Sequence, residues 1–265
     1  MTRTPASLPR ISLLLPTMNR REQFSVALRA VLEDKAAYPD LEIIVIDGAA
    51  GDLRVADIVA GHARDVTWYG KGEGRGLYGA LNTGLRHATG EYVRMVSDDD
   101  VYLPGSIHYF AEYMRDHPEY AAIGGTAVFT SPDGTGTSVL REGREQRIGE
   151  ISIATYVRSP NLLECLHEAL FFRRDLLVRL NGWCDRFTVA GDADLLFRIL
   201  RRGRSMMILP RALVDVRRTA DSLSRRRKFL AGKEPVVSLF IRGHWYIFLL
   251  RVCRKVGRFL RIGSR

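Results

Sequence analysis

The chain has 265 residues, of which 46% are hydrophobic and 26% charged, and it carries a formal net charge of +10 at pH 7. These values are ordinary for a globular protein and leave room for one large α/β domain or for one domain with an appendage. Three widely spaced cysteines, Cys165, Cys184 and Cys253, match neither a disulfide framework nor a metal-ligand pattern, which favours a reducing, cytoplasmic location. Residues 1–10 lack the apolar core of a signal peptide.

The excess of positive charge is confined to the C-terminal tail. Residues 225–265 contain 12 Lys or Arg and one acid, whereas residues 1–224 contain 28 basic and 29 acidic residues. The aromatic and aliphatic residues among these cations argue against nucleic-acid binding and are typical of a helix attracted to anionic lipid. The apolar run of the tail is too short to span a bilayer. We predict two units, 1–224 and 225–265, with the tail at a membrane surface, on the first unit or on a second subunit.

Apolar runs and helical spacings alternate along the first part of the chain. The predicted elements, in chain order, are a strand over Ile11–Leu15, a helix over Glu22–Leu32, a strand over Leu41–Ile46, a helix within Asp52–His62, a strand near Val66–Tyr69, a glycine-rich loop over Gly70–Gly76, a helix over Leu77–Ala88 and a strand over Glu91–Val96. This alternation specifies a mostly parallel sheet flanked by helices. The loop has neither the dinucleotide-binding nor the P-loop spacing, which argues against a dehydrogenase or a kinase.

Three of the predicted strands end in polar loops, namely Pro16–Asn19, Asp47–Gly48 and Asp98–Asp100. Ligands of open α/β sheets bind at the carboxyl ends of the strands, so we expect these loops to converge. Three adjacent carboxylates repel one another unless a cation neutralises them, and Mg²⁺ and Mn²⁺ prefer carboxylate oxygens. A solvated acidic turn is the alternative, but the place of the acids at a strand end favours a divalent metal site.

The second half of the chain is less regular. A turn is predicted over Ser131–Gly136, and a break in the regular secondary structure is predicted at Asn181–Trp183. A helix is predicted over Leu195–Arg202. The acids just before it, Asp192 and Asp194, could serve only to cap that helix, because a carboxylate near a helix N-terminus is stabilising in itself.

Six segments, in this order, resemble those of the family 2 glycosyltransferases with the GT-A fold. They are Ile11–Arg20 (ISLLLPTMNR), Leu41–Gly48 (LEIIVIDG), Gly76–Gly90 (GLYGALNTGLRHATG), Ser97–Pro104 (SDDDVYLP), Cys165–Phe172 (CLHEALFF) and Gly191–Arg198 (GDADLLFR). The resemblance implies inverting transfer of a hexose-type sugar from a nucleotide-diphosphate sugar, with Mn²⁺ or Mg²⁺ as cofactor. It also implies a glycan or lipid-linked acceptor in cell-surface polysaccharide or glycolipid synthesis, on the cytoplasmic face of the plasma membrane.

The same resemblance implies roles for individual residues. The implied nucleotide-sugar contacts are Pro16, Thr17, Asn19, Asp47, Arg75, Asp98 and Asp99, the implied metal ligands are Asp100 and Asp98, the implied general base is Asp192, and the implied acceptor-side residues are His167, Glu168 and Trp183. His167 could instead be a structural residue, and Trp183 a core aromatic with its N–H satisfied. Gly74 and Gly191 depart from the family pattern. They keep open an alternative function, that of a catalytically inactive nucleotide-sugar-binding or scaffolding protein of the same fold.

Overall fold

A computed structural model describes residues 7–48, 55–98, 100–130, 137–138, 140–141, 144–145, 149–154 and 167–217. The turn predicted over Ser131–Gly136, the acid Asp99 and the whole tail 225–265 lie outside the described residues.

The strands and helices of the described residues alternate through the first half of the chain. The strands are β1 (Ile11–Thr17), β2 (Leu41–Asp47), β3 (Trp68–Lys71), β4 (Tyr92–Met95), β5 (Val101–Tyr102), β6 (Ala122–Thr130), β7 (Thr137–Ser138), β8 (Leu140–Arg141), β9 (Arg144–Glu145), β10 (Gly149–Ile151), β11 (Leu170–Arg173) and β12 (Met206–Arg217). The helices are α1 (Arg21–Ala37), α2 (Ala56–Ala60), α3 (Gly76–His87), α4 (Ile107–Asp116), α5 (Arg174–Arg179) and α6 (Gly191–Arg201), and a 3₁₀ turn spans His167–Ala169.

Most of these strands form one mixed sheet in the order β10-β12-β6-β11-β4-β1-β2-β3, with β5 added to β12 and β7 to β6. The four strands β3, β2, β1 and β4 run parallel to one another. Strand β11 is antiparallel to both β4 and β6, and β6 is parallel to β12. The predicted fold class, a mostly parallel sheet flanked by helices, is confirmed.

Both faces of the sheet are covered. Because successive side chains of a strand point to opposite sides, neighbouring residues of one strand pack in different clusters. In β1, Leu13 and Leu15 pack in the same cluster as Phe24 of α1 and Phe110 of α4. Leu14 lies between them and packs in the opposite cluster, with side chains of α3 and α6. A strand buried on both faces explains why the sequence of β1 is a continuous apolar run and does not alternate.

Two of the predicted boundaries are wrong in ways that affect the site. Strand β1 extends to Thr17, so Pro16 lies buried in the strand and not in a loop. The pairing of β1 with β4 ends at Leu14, so the N–H that proline lacks is not needed for that ladder. Helix α6 begins at Gly191 after the N-cap residue Ala190, and no side chain caps it. Asp192 Oδ1 nevertheless accepts the backbone N–H of Ala193 in the first turn at 2.7 Å, so one of the two acids predicted to stabilise this helix N-terminus does so, whereas Asp194 pairs with Arg198.

Glu42 holds together the end of the sheet opposite the polar loops. This buried carboxylate of β2 accepts hydrogen bonds from Ser12 Oγ at 2.6 Å, from the backbone N–H groups of Thr89 at 2.9 Å and Gly90 at 3.2 Å, and from the Thr89 hydroxyl. Burial alone would raise its pKa, but these donors outweigh burial, and the pKa of Glu42 lies below its ordinary value.

We therefore expect Glu42→Gln to lower the free energy of unfolding by about 2 kcal/mol, since it removes hydrogen bonds to a charged group. Because the pKa is lowered on folding, the contribution is complete above the pKa of the unfolded carboxyl and is lost as the pH falls through the folded pKa. Urea denaturation at several pH values measures both effects. The exposed Glu33 of α1 supplies the control, and Glu33→Gln should change stability by less than about 0.5 kcal/mol. Equal effects of the two variants would contradict this account.

Candidate functional site

The ends of β1 and β4 meet at the carboxylate of Asp98, as the sequence predicts. Asp98 is 8% exposed and follows β4. Its Oδ2 accepts a hydrogen bond from Thr17 Oγ1 at 2.9 Å, and its Oδ1 accepts one from Arg20 Nη1 at 3.1 Å. Asn19 adopts φ +58° between them, a left-handed conformation that asparagine tolerates, and it turns the chain from β1 into α1. The sequence prediction missed Arg20, whose only signal was its place at the end of the Pro-Thr-x-Asn segment.

The acids beside Asp98 differ from it in their surroundings. Asp100 is partly exposed, whereas Asp99 lies outside the described residues. Within the described part of the chain, no group of three or more His, Cys, Asp or Glu side chains could hold a metal ion. Carboxylate oxygens nonetheless suit Mg²⁺ and Mn²⁺, which are commonly held by one or two carboxylates together with substrate phosphates. The donor set therefore fits a cation shared with a phosphorylated substrate and does not fit a cation enclosed by protein alone.

Asp47 lies beside this cluster at the end of β2. It is buried and pairs in register with Thr17 across the parallel strands. Tyr69 of β3 donates its hydroxyl to Asp47 Oδ2 at 3.4 Å. Burial, followed by the negative charge of Asp47, raises the pKa of Tyr69 to about 12, so the phenol remains a donor. Three of the parallel strands thus end in polar side chains that lie close together.

Arg75 is exposed and precedes α3, as expected of a residue facing a ligand. The glycine-rich loop before it packs directly on α3. A Cβ added at Gly74, where φ is +81°, would lie 3.1 Å from the Cα of Gly79, and one added at Gly79 would lie 2.6 Å from the carbonyl carbon of Gly74. The Cβ position at Gly74 also lies 3.3 Å from Oδ2 of Asp185, and the sequence prediction missed this acid. Gly74 is therefore required by a close backbone approach.

Asp192 lies in the first turn of α6 and is linked to α3 through Tyr78. The Tyr78 hydroxyl donates to the carbonyl of Val189 at 2.8 Å and lies 3.4 Å from Asp192 Oδ1. A Cβ added at Gly191 would come within 2.7 Å of the Tyr78 ring, so no side chain fits at that position beside the tyrosine. Burial, together with the charge of Asp192, raises the pKa of Tyr78 well above its ordinary value and keeps the phenol protonated.

Asp194 has a different environment from Asp192. It is fully buried and forms an ion pair with Arg198 one turn later, Nε to Oδ2 at 2.7 Å. Arg198 also donates to the carbonyls of Leu180 at 2.7 Å and Gly182 at 2.8 Å. The pair thereby fixes α6 against the turn after α5, and Asp192 is the acid of this helix that remains partly exposed.

The comparison with known proteins identifies the family of this chain. The sequence profile described as glycosyl transferase family 2 matches residues 12–180. The chain belongs to glycosyl transferase family 2.

Two similar family members come from bacteria. A putative glycosyltransferase of Bacillus subtilis, EpsE, is 25% identical over 224 residues, which cover 82% of this chain and 76% of EpsE. AmsE, an amylovoran biosynthesis glycosyltransferase of Erwinia amylovora, is 28% identical over 195 residues, which cover 68% of each chain.

Solved structures show the same fold. TarS 1-349 of S. aureus has a TM-score of 0.67 and 16% identity, with 87% of this chain and 65% of that chain covered. The mannosyltransferase PcManGT of Pyrobaculum calidifontis, solved with GDP-Man and Mn²⁺, has a TM-score of 0.60 and 20% identity, with 93% and 72% covered. The chain thus spans less than two thirds of TarS 1-349. The predicted GT-A fold of a family 2 glycosyltransferase is confirmed.

Two of the acceptor-side predictions need correction. Trp183 is 2% exposed and packs edge-on against His167 and Phe172, so its ring has no face available to a sugar. Its Nε1 donates to Nε2 of the buried His167 at 2.6 Å, and Asn82 bonds to its backbone at 2.8 and 2.9 Å. Both rings belong to the core of the family 2 domain. Glu168 is partly exposed and remains a candidate for the acceptor side.

The His167–Trp183 pair makes stability depend on pH. Burial lowers the pKa of His167 to about 3, so the folded chain keeps the ring neutral, whereas histidine in the unfolded chain has a pKa of about 6.5. Between these values the unfolded chain binds a proton that the folded chain does not, and the free energy of unfolding therefore falls as the pH falls.

We expect His167→Gln to reduce this acid sensitivity. Between about pH 7.5 and about pH 5.5, the variant should lose about 1 kcal/mol less than the wild type, as measured by urea denaturation. His62→Gln, at an exposed position, is the control and should follow the wild type. If His167→Gln also followed the wild type, the neutral buried ring would be the wrong description.

Proposed function

We propose that this family 2 glycosyltransferase catalyses inverting transfer of a sugar from a nucleotide-diphosphate sugar to an acceptor hydroxyl. The observation that carries the proposal is that carboxylates stand on two separate parts of the fold. Asp47 and Asp98 lie at the ends of parallel strands, and Asp192 lies in the first turn of α6, beside Tyr78 of α3. In an inverting transfer the base and the leaving group lie on opposite faces of the sugar, which suits two separate acidic groups.

The donor would bind at the ends of β1, β2 and β4. Thr17, Asp47 and Asp98 form the wall of this site, and Arg20 fixes the Asp98 carboxylate. We assign Arg75 to the diphosphate, because it is exposed at the N-terminus of α3, and a helix N-terminus favours an anion. The neighbours support a nucleotide donor, since TarS has been solved with UDP-GlcNAc and PcManGT with GDP-Man.

Asp100 is the residue we propose to hold a divalent metal. Asp98 is buried and bonds to Thr17 and Arg20, whereas Asp100 is partly exposed, which makes Asp100 the more accessible of the two predicted ligands. The Mn²⁺ bound to PcManGT supports the cofactor. When bound, such a cation neutralises the negative charge that develops on the leaving diphosphate.

The acceptor would bind near Asp192, which would take the proton of the attacking hydroxyl as general base. The backbone N–H of Ala193 donates to Asp192 Oδ1 at 2.7 Å and the Tyr78 hydroxyl lies 3.4 Å from the same oxygen, two contacts that restrict the rotation of this carboxylate. AmsE is named for amylovoran biosynthesis, which supports a glycan or lipid-linked acceptor in cell-surface polysaccharide synthesis. Within the described residues there is no helix of the length and hydrophobicity needed to cross a membrane. Attachment of the enzyme to the membrane surface through the tail 225–265 is part of the proposal.

The catalytically inactive alternative loses its main support. It rested on Gly74 and Gly191, and each of these glycines has a local reason in packing, the first against Gly79 and the second against the Tyr78 ring. Neither glycine therefore indicates a lost catalytic side chain.

Asp192→Asn tests the proposed base. With Mn²⁺ and a panel of UDP- and GDP-sugars, we expect the slow hydrolysis of the accepted donor to fall about 100-fold, because the amide cannot take a proton. Binding of the donor, measured by calorimetry, should stay within about twofold because the donor wall is unchanged. Asp65→Asn, at a partly exposed acid in the turn before β3, is the control and should alter neither quantity.

Two results would refute this assignment. Unchanged hydrolysis in Asp192→Asn would exclude the residue as base. Donor binding by the wild type without any hydrolysis or transfer would favour the inactive alternative.

Asp100→Asn and Asp98→Asn separate metal binding from nucleotide binding. We expect Asp100→Asn to weaken the Mn²⁺-dependent binding of UDP or GDP about tenfold and to leave the metal-free binding unchanged. Asp98→Asn should weaken binding with and without Mn²⁺, because it disturbs the contacts of Thr17 and Arg20. Calorimetry with and without MnCl₂ measures the difference, and an undiminished effect of Mn²⁺ in Asp100→Asn would exclude that residue as the ligand.

A further inference from the structure

A buried arginine lies in β4, four residues before Asp98. Arg94 is 1% exposed, and no carboxylate of the described residues lies within ion-pairing distance of it. Its guanidinium lies between the rings of Tyr102, 4.8 Å from the centroid, and Phe171, 5.2 Å from the centroid. Taking a charge out of water is costly unless directional contacts compensate for the loss of hydration.

The guanidinium obtains its hydrogen bonds from the backbone of two other segments. Arg94 Nε donates to the carbonyl of Glu168 at 2.8 Å, and Arg94 Nη2 donates to the carbonyl of Leu213 at 3.1 Å. The Leu213 carbonyl also accepts the N–H of Leu103 at 3.2 Å. One side chain therefore connects β4 to the acceptor-side turn His167–Ala169 and to β12.

Tyr102 connects this buried cation to a buried anion. Its ring covers the Arg94 guanidinium, and its hydroxyl donates to Asp34 of α1. The other oxygen of Asp34 accepts the N–H of Gly105 at 2.6 Å. Burial raises the pKa of Tyr102 well above its ordinary value, so the hydroxyl remains a donor. The opposite charges of Arg94 and Asp34 thus lie on the two sides of one phenol.

Arg94 and Tyr102 flank the acidic segment in the sequence. Arg94 precedes the acidic segment and Tyr102 follows it, and the two side chains touch. Their contact therefore holds together the two points of the chain between which Asp98 and Asp100 lie. Any change in the distance between Arg94 and Tyr102 would move these acids relative to Thr17 and Arg20.

We propose that Arg94 and Tyr102 are positioning residues of the transferase site. Their contact sets where Asp98 and Asp100 lie for the donor and metal, and the bond from Arg94 to the Glu168 carbonyl joins this segment to the acceptor side. The inference rests on the proposed function, because it assigns the acidic segment to donor and metal binding.

Stability alone does not explain an arginine at this position. Well-packed apolar residues in place of buried charged groups are often neutral or stabilising. The cation is held by carbonyls and ring faces, and within the described residues its Nη1 has no hydrogen-bond partner. A planar guanidinium instead provides two donors in a fixed direction together with a flat surface for stacking, which neither leucine nor lysine supplies.

Tyr102→Phe is the mildest test, and Tyr38→Phe is its matched control. Tyr38 is also buried and donates its hydroxyl to a carbonyl, that of Pro9, at the opposite end of the sheet. Each change removes one phenolic hydroxyl from the core, and Tyr102→Phe should lose more stability because its hydroxyl bonds to a carboxylate, so binding is compared at a temperature well below the thermal transition of both variants. We expect only Tyr102→Phe to weaken the binding of UDP or GDP in MnCl₂, by about tenfold, and to raise the Mn²⁺ concentration needed for half-maximal binding.

Arg94→Lys is the second test, because it keeps the positive charge and removes the planar fork. We expect it to weaken Mn²⁺-dependent binding at least as much as Tyr102→Phe, since an ammonium cannot bond to both carbonyls in the same directions and stack on both rings. Arg94→Lys should displace the acidic segment, which carries the proposed metal ligand. Nucleotide binding without metal should therefore change less than binding with metal.

The outcomes separate this inference from the proposed function. Absence of any Mn²⁺-dependent binding of UDP, GDP or their sugars by the wild type would overturn both. Normal binding by the wild type, Tyr102→Phe and Arg94→Lys alike would overturn the inference and leave the proposed function standing. An equal loss in Tyr38→Phe would also overturn it, because the effect would then follow from stability and not from position.

Discussion

The hydrogen bonds that Asp98 accepts from Thr17 and Arg20 are the interaction on which the site depends. Strands β1 and β4 pair only as far as Leu14 and Met95, and a last backbone bond joins Val96 N–H to Leu14. Beyond this point the sheet no longer holds the two strand ends together, and a ligand site can open between them. Two hydrogen bonds to a buried carboxylate, one of them from a cation, fix the ends in place of the missing ladder.

Buried charged groups connect the strands and helices that carry these loops. Glu42 joins strands at the opposite end of the sheet, Arg94 lies under the acidic segment, and the pair Asp194–Arg198 fixes α6. In each case a side chain bonds to backbone or to a neighbouring polar group, which gives a fixed direction that apolar packing lacks. These directional contacts give the strand-end loops a rigid scaffold.

The sequence was sufficient to predict the elements whose signal is local. The apolar runs of β1 and β2 and the helical spacing of α1 are determined by neighbouring residues, and the convergence of strand ends follows from parallel pairing. Arg20, Arg94 and Tyr78 were missed because each acquires its role from a partner about 70 residues or more away in the chain. The environment of Trp183 likewise depends on a distant partner, since Asn82, 101 residues earlier, bonds to its backbone.

The two glycines that depart from the family pattern belong to one structural arrangement around α3. Gly74 lets the glycine-rich loop contact Gly79, and Gly191 leaves the space that the ring of Tyr78 fills. A carboxylate at position 191 would displace this ring and would also place a like charge next to Asp192, which would disfavour ionisation of the proposed base. With tyrosine in that space, Asp192 instead has a hydroxyl at 3.4 Å. The glycine therefore keeps a second negative charge away from the proposed base and leaves an uncharged side chain beside it.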